Sequence, residues 1–268
     1  MSLYALCIGI NDYPGTDSDL SGCVNDAEDW SAVLTERGFA LRQLIDAQAT
    51  KAVMVAAIAD LIDAARSGDT VVITYSGHGT WVPDASGDEA DGRDEGLCPH
   101  DVADGQVLLD DEIAALFAQR AAGVRVVLIS DSCHSGSVTR DGATTAEPGQ
   151  PRARFLPPEV WAGTSVPACA GAGRVARGGG GFGGFTRLGG DLLMAGCRDS
   201  EFSWDTQFAG RPNGAFSYYA LKTLARLPAE ACYQDWFRAI GAHLPSTRLP
   251  QSPQILGAEA ARRFPVFE

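Results

Sequence analysis

The sequence predicts an α/β fold, a three-layer α/β/α sandwich with a mostly parallel central sheet. Three observations support this prediction. The segments Leu3–Ile10, Asp69–Ser76 and Val124–Asp131 are almost continuously apolar, as expected for strands that are buried on both faces. The segments between them carry apolar residues at helical spacing. Strand and helix alternate through the first half of the chain, which is typical of repeated β-α-β units.

The elements of the first half follow from local signals. Apolar residues recur every three or four positions over Leu20–Arg37, which predicts a helix that the following glycine ends. A short strand is expected at Phe39–Leu44. A second helix runs from the cap Thr50 to about Arg66, with its apolar side chains on one face. After an acidic loop, a helix over Asp110–Ala121 leads into the third buried strand.

The middle of the chain breaks this pattern. Residues 139 to about 188 contain five prolines and a run of glycines, so we expect a long loop without a regular element. The predicted elements beyond it are a strand at Asp191–Ala195, helices at Ala215–Leu227 and Tyr233–Leu244, and a short strand at Gln254–Leu256. We therefore predict one domain over residues 1–268, in which a flexible Gly/Pro/Arg-rich loop at 141–190 separates the parts 1–140 and 191–268.

The composition argues against several classes of protein. A net charge of −13 disfavours nucleic acid and anionic membranes as partners. No apolar stretch reaches the ~20 residues of a membrane span, and the N-terminus lacks the features of a signal peptide, so we expect a cytoplasmic protein. Seven cysteines without CxxC spacing argue against a zinc ribbon and exclude a fully paired disulfide framework.

Two of the predicted strands end in reactive side chains. The strand at 69–76 is followed by Gly77-His78-Gly79, and the strand at 124–131 is followed by Ser132-Cys133-His134. Because ligands and catalytic groups collect beyond the carboxyl ends of parallel strands, His78 and Cys133 are expected to face one crevice. There His78 could act as the base for a thiol nucleophile, with the backbone N–H groups of Gly79 and Cys133 as an oxyanion hole.

Other interpretations of these residues exist. A single histidine or cysteine is more often a structural residue than a catalytic one. The prediction of a catalytic pair therefore rests on the two strand-end motifs taken together. His134 is a rival base, but adjacent side chains at a strand end diverge, which disfavours it. A serine hydrolase is unsupported because no G-x-S-x-G motif is present, and the first strand lacks the glycine-rich turn of a nucleotide site.

The sequence resembles the caspase-like clan, and within peptidase family C14 the metacaspases and orthocaspases. The residues that carry the resemblance are YSGHGT at 75–80 and DSCHSGS at 131–137, supported by GINDY at 9–13, GCVNDA at 22–27, DDE at 110–112 and AGCRDSEFSWD at 195–205. The resemblance implies a caspase-like fold and a cysteine endopeptidase with a His78–Cys133 dyad that forms a thioacyl-enzyme and needs no cofactor for the chemistry.

The resemblance also implies a preference for substrates with Arg or Lys before the cleaved bond. The pocket for that side chain (the S1 pocket) maps onto Cys23, Asp26, Ser76 and Asp131. Carboxylates in a partly buried pocket would favour a guanidinium or ammonium partner. Alternatively, Asp26 could have only a structural role, capping or solvating the helix in which it lies. The expected partners are therefore proteins or peptides with a basic P1 residue, and the chain is expected to be a monomer.

Many metacaspases need calcium, and the matching positions here are Asp94, Asp110 and Asp111. Clustered carboxylates suit this hard cation. The sequence departs from the family at the fourth expected ligand, where Arg140 stands beside Asp141. The alternative is a solvated acidic loop whose last two aspartates begin a helix.

The Gly/Arg-rich loop suggests a switch. Arg174 and Arg177 lie between the parts of the chain on either side of it, and exposed flexible segments are common sites of proteolysis. We expect that cutting there, by the enzyme itself or by an upstream activating protease, raises activity. The alternatives are a loop without a regulatory role and, for the whole chain, a catalytically weak scaffold or signalling module on the same fold.

Overall fold

The structure is a computed structural model that describes residues 1–84, 92–133, 150–162 and 192–268. The strands are β1 (Leu3–Gly9), β2 (Ala40–Ile45), β3 (Thr70–Ser76), β4 (Gly79–Pro83), β5 (Arg93–Leu97), β6 (Leu108–Leu109), β7 (Arg125–Asp131), β8 (Arg152–Ala153), β9 (Leu192–Ala195), β10 (Trp204–Phe208), β11 (Arg211–Gly214) and β12 (Gln254–Gly257). The helices are α1 (Cys23–Glu36), α2 (Lys51–Ala64), α3 (Asp110–Ala118), α4 (Pro158–Trp161), α5 (Ala215–Leu224), α6 (Tyr233–Gly241) and α7 (Glu259–Arg262).

The central sheet has the strand order β12-β9-β7-β3-β1-β2. Its strands are parallel except for the edge strand β12, which runs antiparallel to β9. The apolar runs that predicted β1, β3 and β7 lie in the middle of this sheet, where side chains on both faces are covered. The prediction of a mostly parallel sheet is confirmed.

Alternate residues of each central strand pack into two separate cores. On β1, Leu6 and Ile8 join a core with α2 and α3, whereas Ala5 and Cys7 join a second core with α1, α5 and α6. This alternation follows from the two-residue period of a strand. It gives helix, sheet and helix layers, so the predicted three-layer architecture is confirmed.

Two smaller sheets were not predicted. One has the order β4-β5-β6 and the other β11-β10-β8. The prediction of an irregular acidic loop before Asp110 is wrong for β5, whose RDEGL sequence offers no apolar alternation and is held by pairing with β4. The prediction that residues 139–188 hold no regular element is wrong for 150–162, where β8 pairs with β10 and α4 follows.

In the part of the chain that the structure describes, no helix is both long enough and apolar enough to cross a membrane. The proposed processing residues Arg174 and Arg177, the rival base His134, and Arg140 with Asp141 lie outside the described residues. The same holds for much of the predicted loop at 141–190.

Candidate active site

The ends of β3 and β7 bring the two reactive motifs together. These strands are parallel neighbours, and their last paired residues are Ser76 and Asp131. His78 and Cys133 each follow two residues later, at the same edge of the sheet. Both side chains are buried, His78 with 3% and Cys133 with 0% of its surface exposed.

A single carbonyl group lies between the two motifs. The oxygen of Arg154 accepts the backbone N–H of Gly79 at 3.0 Å and that of Cys133 at 3.1 Å. These are the two N–H groups that the sequence suggested as an oxyanion hole. The two donors come from the turns after two different strands and point at the same oxygen. Together they polarise the carbonyl group, as the donors of an oxyanion hole do.

The side chain of Arg154 fills an acidic pocket beside this carbonyl and has no exposed surface. Its guanidinium lies 2.7 Å from Asp26, 3.2 Å from Asp131 and 3.3 Å from Asp205. Burial opposes the charge, but the neighbouring carboxylates outweigh burial and raise the pKa of Arg154 above its usual value. The charged form is therefore the one that the pocket stabilises.

The three carboxylates are held in place by backbone donors. Asp26 accepts the N–H of Gly214 at 3.0 Å, Asp131 accepts the N–H of Ser217 at 2.8 Å, and Asp205 accepts the N–H of Gly22 at 2.9 Å. Such bonds stabilise ionised carboxylates that one guanidinium cannot neutralise alone.

Gly214 also gives the pocket its room. A Cβ atom at this position would overlap both Asp131 and the guanidinium of Arg154. Residue 214 must therefore be a glycine for the pocket to hold a guanidinium in this position.

The ring of His78 is fixed on one side and unpaired on the other. Its Nε2 atom lies 2.7 Å from the carbonyl oxygen of Ser18, which can only accept, so Nε2 carries the proton. Nδ1 is then an acceptor, and it is buried without a hydrogen-bond partner among the described residues. Burial lowers the pKa of His78 to about 4, so the imidazole is neutral at pH 7. At neutral pH the ring is therefore in the unprotonated form that a general base requires.

The thiol of Cys133 contacts Ser203, a residue that sequence reasoning did not single out. The backbone N–H of Ser203 donates to the sulfur, and the thiol donates to the Ser203 carbonyl oxygen at 3.4 Å. The same carbonyl oxygen accepts the N–H of Arg154 at 2.9 Å. Ser203 thus positions both the thiol and the peptide beside it.

The other residues predicted for the pocket lie around it. Cys23 is fully buried, with its sulfur 3.9 Å from Asp205, and burial raises the pKa of its thiol. Ser76 is buried with its hydroxyl 3.4 Å from that of Ser217. Asp205 was missed as a pocket residue although it ends the motif at 195–205. Arg154 lies in the predicted Gly/Pro/Arg-rich loop at 141–190 and was not singled out as a site residue.

The residues predicted for calcium lie in or next to the small sheet β4-β5-β6. Asp94 is in β5, and Asp110 and Asp111 begin α3, directly after β6. Within the described ranges, no group of three His, Cys, Asp or Glu side chains is arranged to hold a metal ion. Calcium binding therefore stays a prediction.

Comparison with known families identifies the relatives of this site. A model of the metacaspase peptidase C14 domain matches residues 4–140, which include His78 and Cys133. The chain belongs to the metacaspase family. The resemblance drawn from the two strand-end motifs is confirmed.

Individual metacaspases match most of the chain. Metacaspase-1 of Cryptococcus neoformans is 32% identical over 86% of this chain and 57% of its own length. Metacaspase-1A of Aspergillus fumigatus is 30% identical over 94% of this chain and 67% of its own length. Metacaspase-4 of Arabidopsis thaliana is 42% identical over 52% of this chain and 34% of its own length. The chain thus spans between a third and two thirds of the length of these relatives.

Solved structures agree with the fold. The crystal structure of a Geobacter sulfurreducens protein matches with a TM-score of 0.74 at 30% identity, covering 100% of this chain and 98% of the other. Caspase-1 of Spodoptera frugiperda matches with a TM-score of 0.59 at 14% identity, covering 95% and 88% of the two chains. The caspase-like fold that the motifs implied is therefore confirmed.

The charge state of Asp26 predicts a pH dependence for binding of basic groups in the pocket. Burial raises the pKa of Asp26 to about 7 against the opposing charge of Arg154, with a smaller contribution from the neighbouring Asp131. As the pH falls through about 7, Asp26 takes up a proton and loses its attraction for a guanidinium. We therefore expect the KM for an Arg peptide reporter to increase as the pH is lowered from 8 to 6.

The matched variants for this measurement are Asp26→Asn and Asp60→Asn. Asp60 lies on α2 at the surface, where it pairs with Arg42. Asp26→Asn should flatten the pH profile of KM, and Asp60→Asn should leave it unchanged. A profile that is the same in wild type and Asp26→Asn would contradict this role of Asp26.

Proposed function

We propose that this metacaspase-family chain is a cysteine endopeptidase that cleaves proteins after Arg or Lys, with Cys133 as nucleophile and His78 as base. The observation that carries the proposal is the position of Arg154. Its carbonyl oxygen receives the Gly79 and Cys133 N–H groups while its guanidinium contacts three carboxylates. A peptide bound in this way presents a basic P1 side chain and a polarised carbonyl beside the thiol.

The chemistry follows from the groups around that carbonyl. His78 Nδ1 removes the proton of the Cys133 thiol, and the sulfur attacks the carbonyl carbon of the substrate. The negative charge on the oxygen is stabilised by the N–H groups of Gly79 and Cys133. His78 then gives the proton to the departing amine, which leaves a thioacyl-enzyme. Water, activated by the same imidazole, hydrolyses the thioester and regenerates the thiol.

The acidic pocket supports the basic preference. Asp26, Asp131 and Asp205 together carry more negative charge than one guanidinium neutralises, and the backbone donors compensate part of the excess. A substrate carboxylate in the same place would be repelled and buried without a partner, which is costly. The pocket therefore favours Arg or Lys and disfavours Asp.

The first test compares reporter peptides that carry Arg, Lys or Asp at P1. We expect hydrolysis after Arg and Lys and none after Asp. Cys133→Ala should abolish turnover, and His78→Ala should lower kcat by about 10²- to 10⁴-fold because the general base is lost. Cys7→Ala, at a buried cysteine outside the site, should keep the activity. Equal or faster cleavage after Asp would contradict the pocket assignment.

The same variants separate the enzyme from the scaffold alternative. An Arg-chloromethylketone should label Cys133 selectively, and the label should be lost in Cys133→Ala. A scaffold would show neither the label nor turnover in the wild type.

Gly214 offers a test of the pocket alone. A Cβ atom there would overlap Asp131 and the place that the guanidinium of Arg154 takes. In an Arg154→Ala background, where a substrate side chain would take that place, Gly214→Ala should raise the KM for Arg reporters by about tenfold, as overpacking costs about 1–3 kcal/mol. Gly241→Ala is the matched control, since no atom lies within 4 Å of its added Cβ. An unchanged KM in a folded Gly214→Ala protein would argue against this location for S1.

Calcium dependence at Asp94, Asp110 and Asp111 is a separate proposal. Binding would be seen as heat in a calorimetric titration with Ca²⁺ and as loss of activity in a chelator. Asp111→Asn should weaken both effects. An absence of heat combined with full activity in the chelator would rule out a calcium site at these residues.

Four further points remain predictions: an upstream activating protease, activation by cleavage at Arg174 or Arg177, the monomeric state and the cytoplasmic location.

A further inference from the structure

A second thiol lies next to the candidate nucleophile. Cys197 is buried, with 6% of its surface exposed, and it packs with Cys133 in a small apolar cluster. Its sulfur lies 3.6 Å from the carbonyl oxygen of Ser132, the residue before Cys133, and 3.4 Å from that of Glu201. Both cysteines are free thiols. The proposed peptidase chemistry uses only the Cys133 thiol, so it gives the neighbouring thiol no role.

The central sheet brings the two cysteines together. β7 and β9 are parallel neighbours whose last paired residues are Ser130 and Ala195, and the N–H of Gly196 continues the pairing by donating to the Ser130 carbonyl oxygen at 2.9 Å. Cys133 follows three residues after Ser130, and Cys197 follows two residues after Ala195. Neighbouring strands lie about 4.8 Å apart, and disulfides join residues whose Cα atoms are about 4.4–6.8 Å apart. The two positions therefore suit a disulfide.

Of the two cysteines, Cys197 has the more adjustable backbone. It begins the turn between β9 and β10, in which residues 198–200 are exposed and the N–H of Glu201 donates to the Arg198 carbonyl oxygen at 2.9 Å. Exposed turns between strands are more mobile than the strands that they connect. Cys197 can therefore move toward Cys133 without a change in the central sheet.

The two thiols differ in reactivity. The hydrogen bond with Cys133, and then burial, raise the pKa of the Cys197 thiol well above its usual value, so Cys197 stays protonated. Cys133 is the thiol from which His78 removes a proton in the proposed mechanism. Thiolates and not thiols react with peroxides, so Cys133 is the sulfur that a peroxide oxidises first.

We propose that Cys133 and Cys197 form a reversible oxidation site, in which a peroxide converts the nucleophile into a disulfide with its neighbour and stops the peptidase. The inference rests on the proposed function, because that function makes Cys133 the nucleophile. A crevice that admits a peptide substrate also admits a molecule as small as hydrogen peroxide. Without Cys197, further peroxide would carry Cys133 to the sulfinic acid, which thiol reductants do not reverse.

The reaction takes two electrons from the two thiols and gives them to one peroxide molecule. The Cys133 sulfur attacks one oxygen of hydrogen peroxide and breaks the O–O bond, which gives a sulfenic acid and one water. The Cys197 sulfur then attacks the sulfenic sulfur and forms the S–S bond. The hydroxide that leaves takes the Cys197 proton and becomes a second water. A dithiol reductant returns both cysteines to thiols.

The disulfide is tested directly by mass spectrometry of the wild-type protein after treatment with hydrogen peroxide. Free thiols are blocked with iodoacetamide before digestion with trypsin. Cys133 is the single cysteine of the tryptic peptide 126–140, and Cys197 is that of the peptide 188–198. We expect these two peptides to be joined and to separate in dithiothreitol. A protein that forms no such linked pair, or that joins Cys133 to another cysteine, would overturn the proposal.

Reporter turnover after the same treatment tests the role of the second thiol. Wild type should lose turnover in peroxide and regain it in dithiothreitol. Cys197→Ser keeps a donor for the carbonyl oxygens of Ser132 and Glu201, so the reduced variant should turn over as wild type does. Its loss in peroxide should be permanent, because the sulfinic acid forms. Cys232→Ser, at a partly exposed cysteine bonded to Asp235, should behave as wild type.

Two further comparisons keep the result unambiguous. Cys197→Ala replaces Cys197→Ser if the serine variant does not fold, and it should show the same permanent loss. Full recovery of turnover in a folded Cys197 variant would overturn the proposal. Failure of the proposed function is distinguishable, because wild type would then show no turnover even in dithiothreitol, whether or not the linked peptides form.

Discussion

The structure of the site depends on one buried charge. The guanidinium of Arg154 is fully removed from water, and an unpaired charge there would be strongly unfavourable. It is tolerated because Asp26, Asp131 and Asp205 surround it. These carboxylates come from α1, β7 and β10, elements far apart in the sequence. Removing the cation would leave three buried carboxylates near one another, so a basic group is the natural occupant of this pocket.

Much of the fold and the centre of the site could be predicted from the sequence. The apolar runs of β1, β3 and β7 identify strands that are buried on both faces, and adjacency of β3 and β7 puts the residues after Ser76 and Asp131 at one edge. His78 and Cys133 were predicted because each follows such a strand by two residues, with His78 between Gly77 and Gly79. Asp26 and Asp131 came from the resemblance to metacaspases, which the family match supports.

The remaining features depend on contacts that no local pattern encodes. Two residues of β8 form a strand only because β10, some 50 positions later, offers its edge. Arg154 looks like any other arginine of a basic loop until the three carboxylates are assembled around it. Asp205 ends the motif at 195–205, but the orientation of its side chain depends on the hydrogen bond that it accepts from the N–H of Gly22. Long-range pairing and burial of polar groups are the properties that sequence periodicity does not report.

The account is tested most directly by a crystal structure of the Arg154→Ala protein with a peptide that ends in an Arg aldehyde. The account predicts a covalent bond between the aldehyde carbon and Cys133, with the resulting oxygen on the N–H groups of Gly79 and Cys133. The guanidinium of the inhibitor should lie among the same three carboxylates that now hold Arg154. An aldehyde bound to another residue, or a guanidinium outside that pocket, would contradict the account.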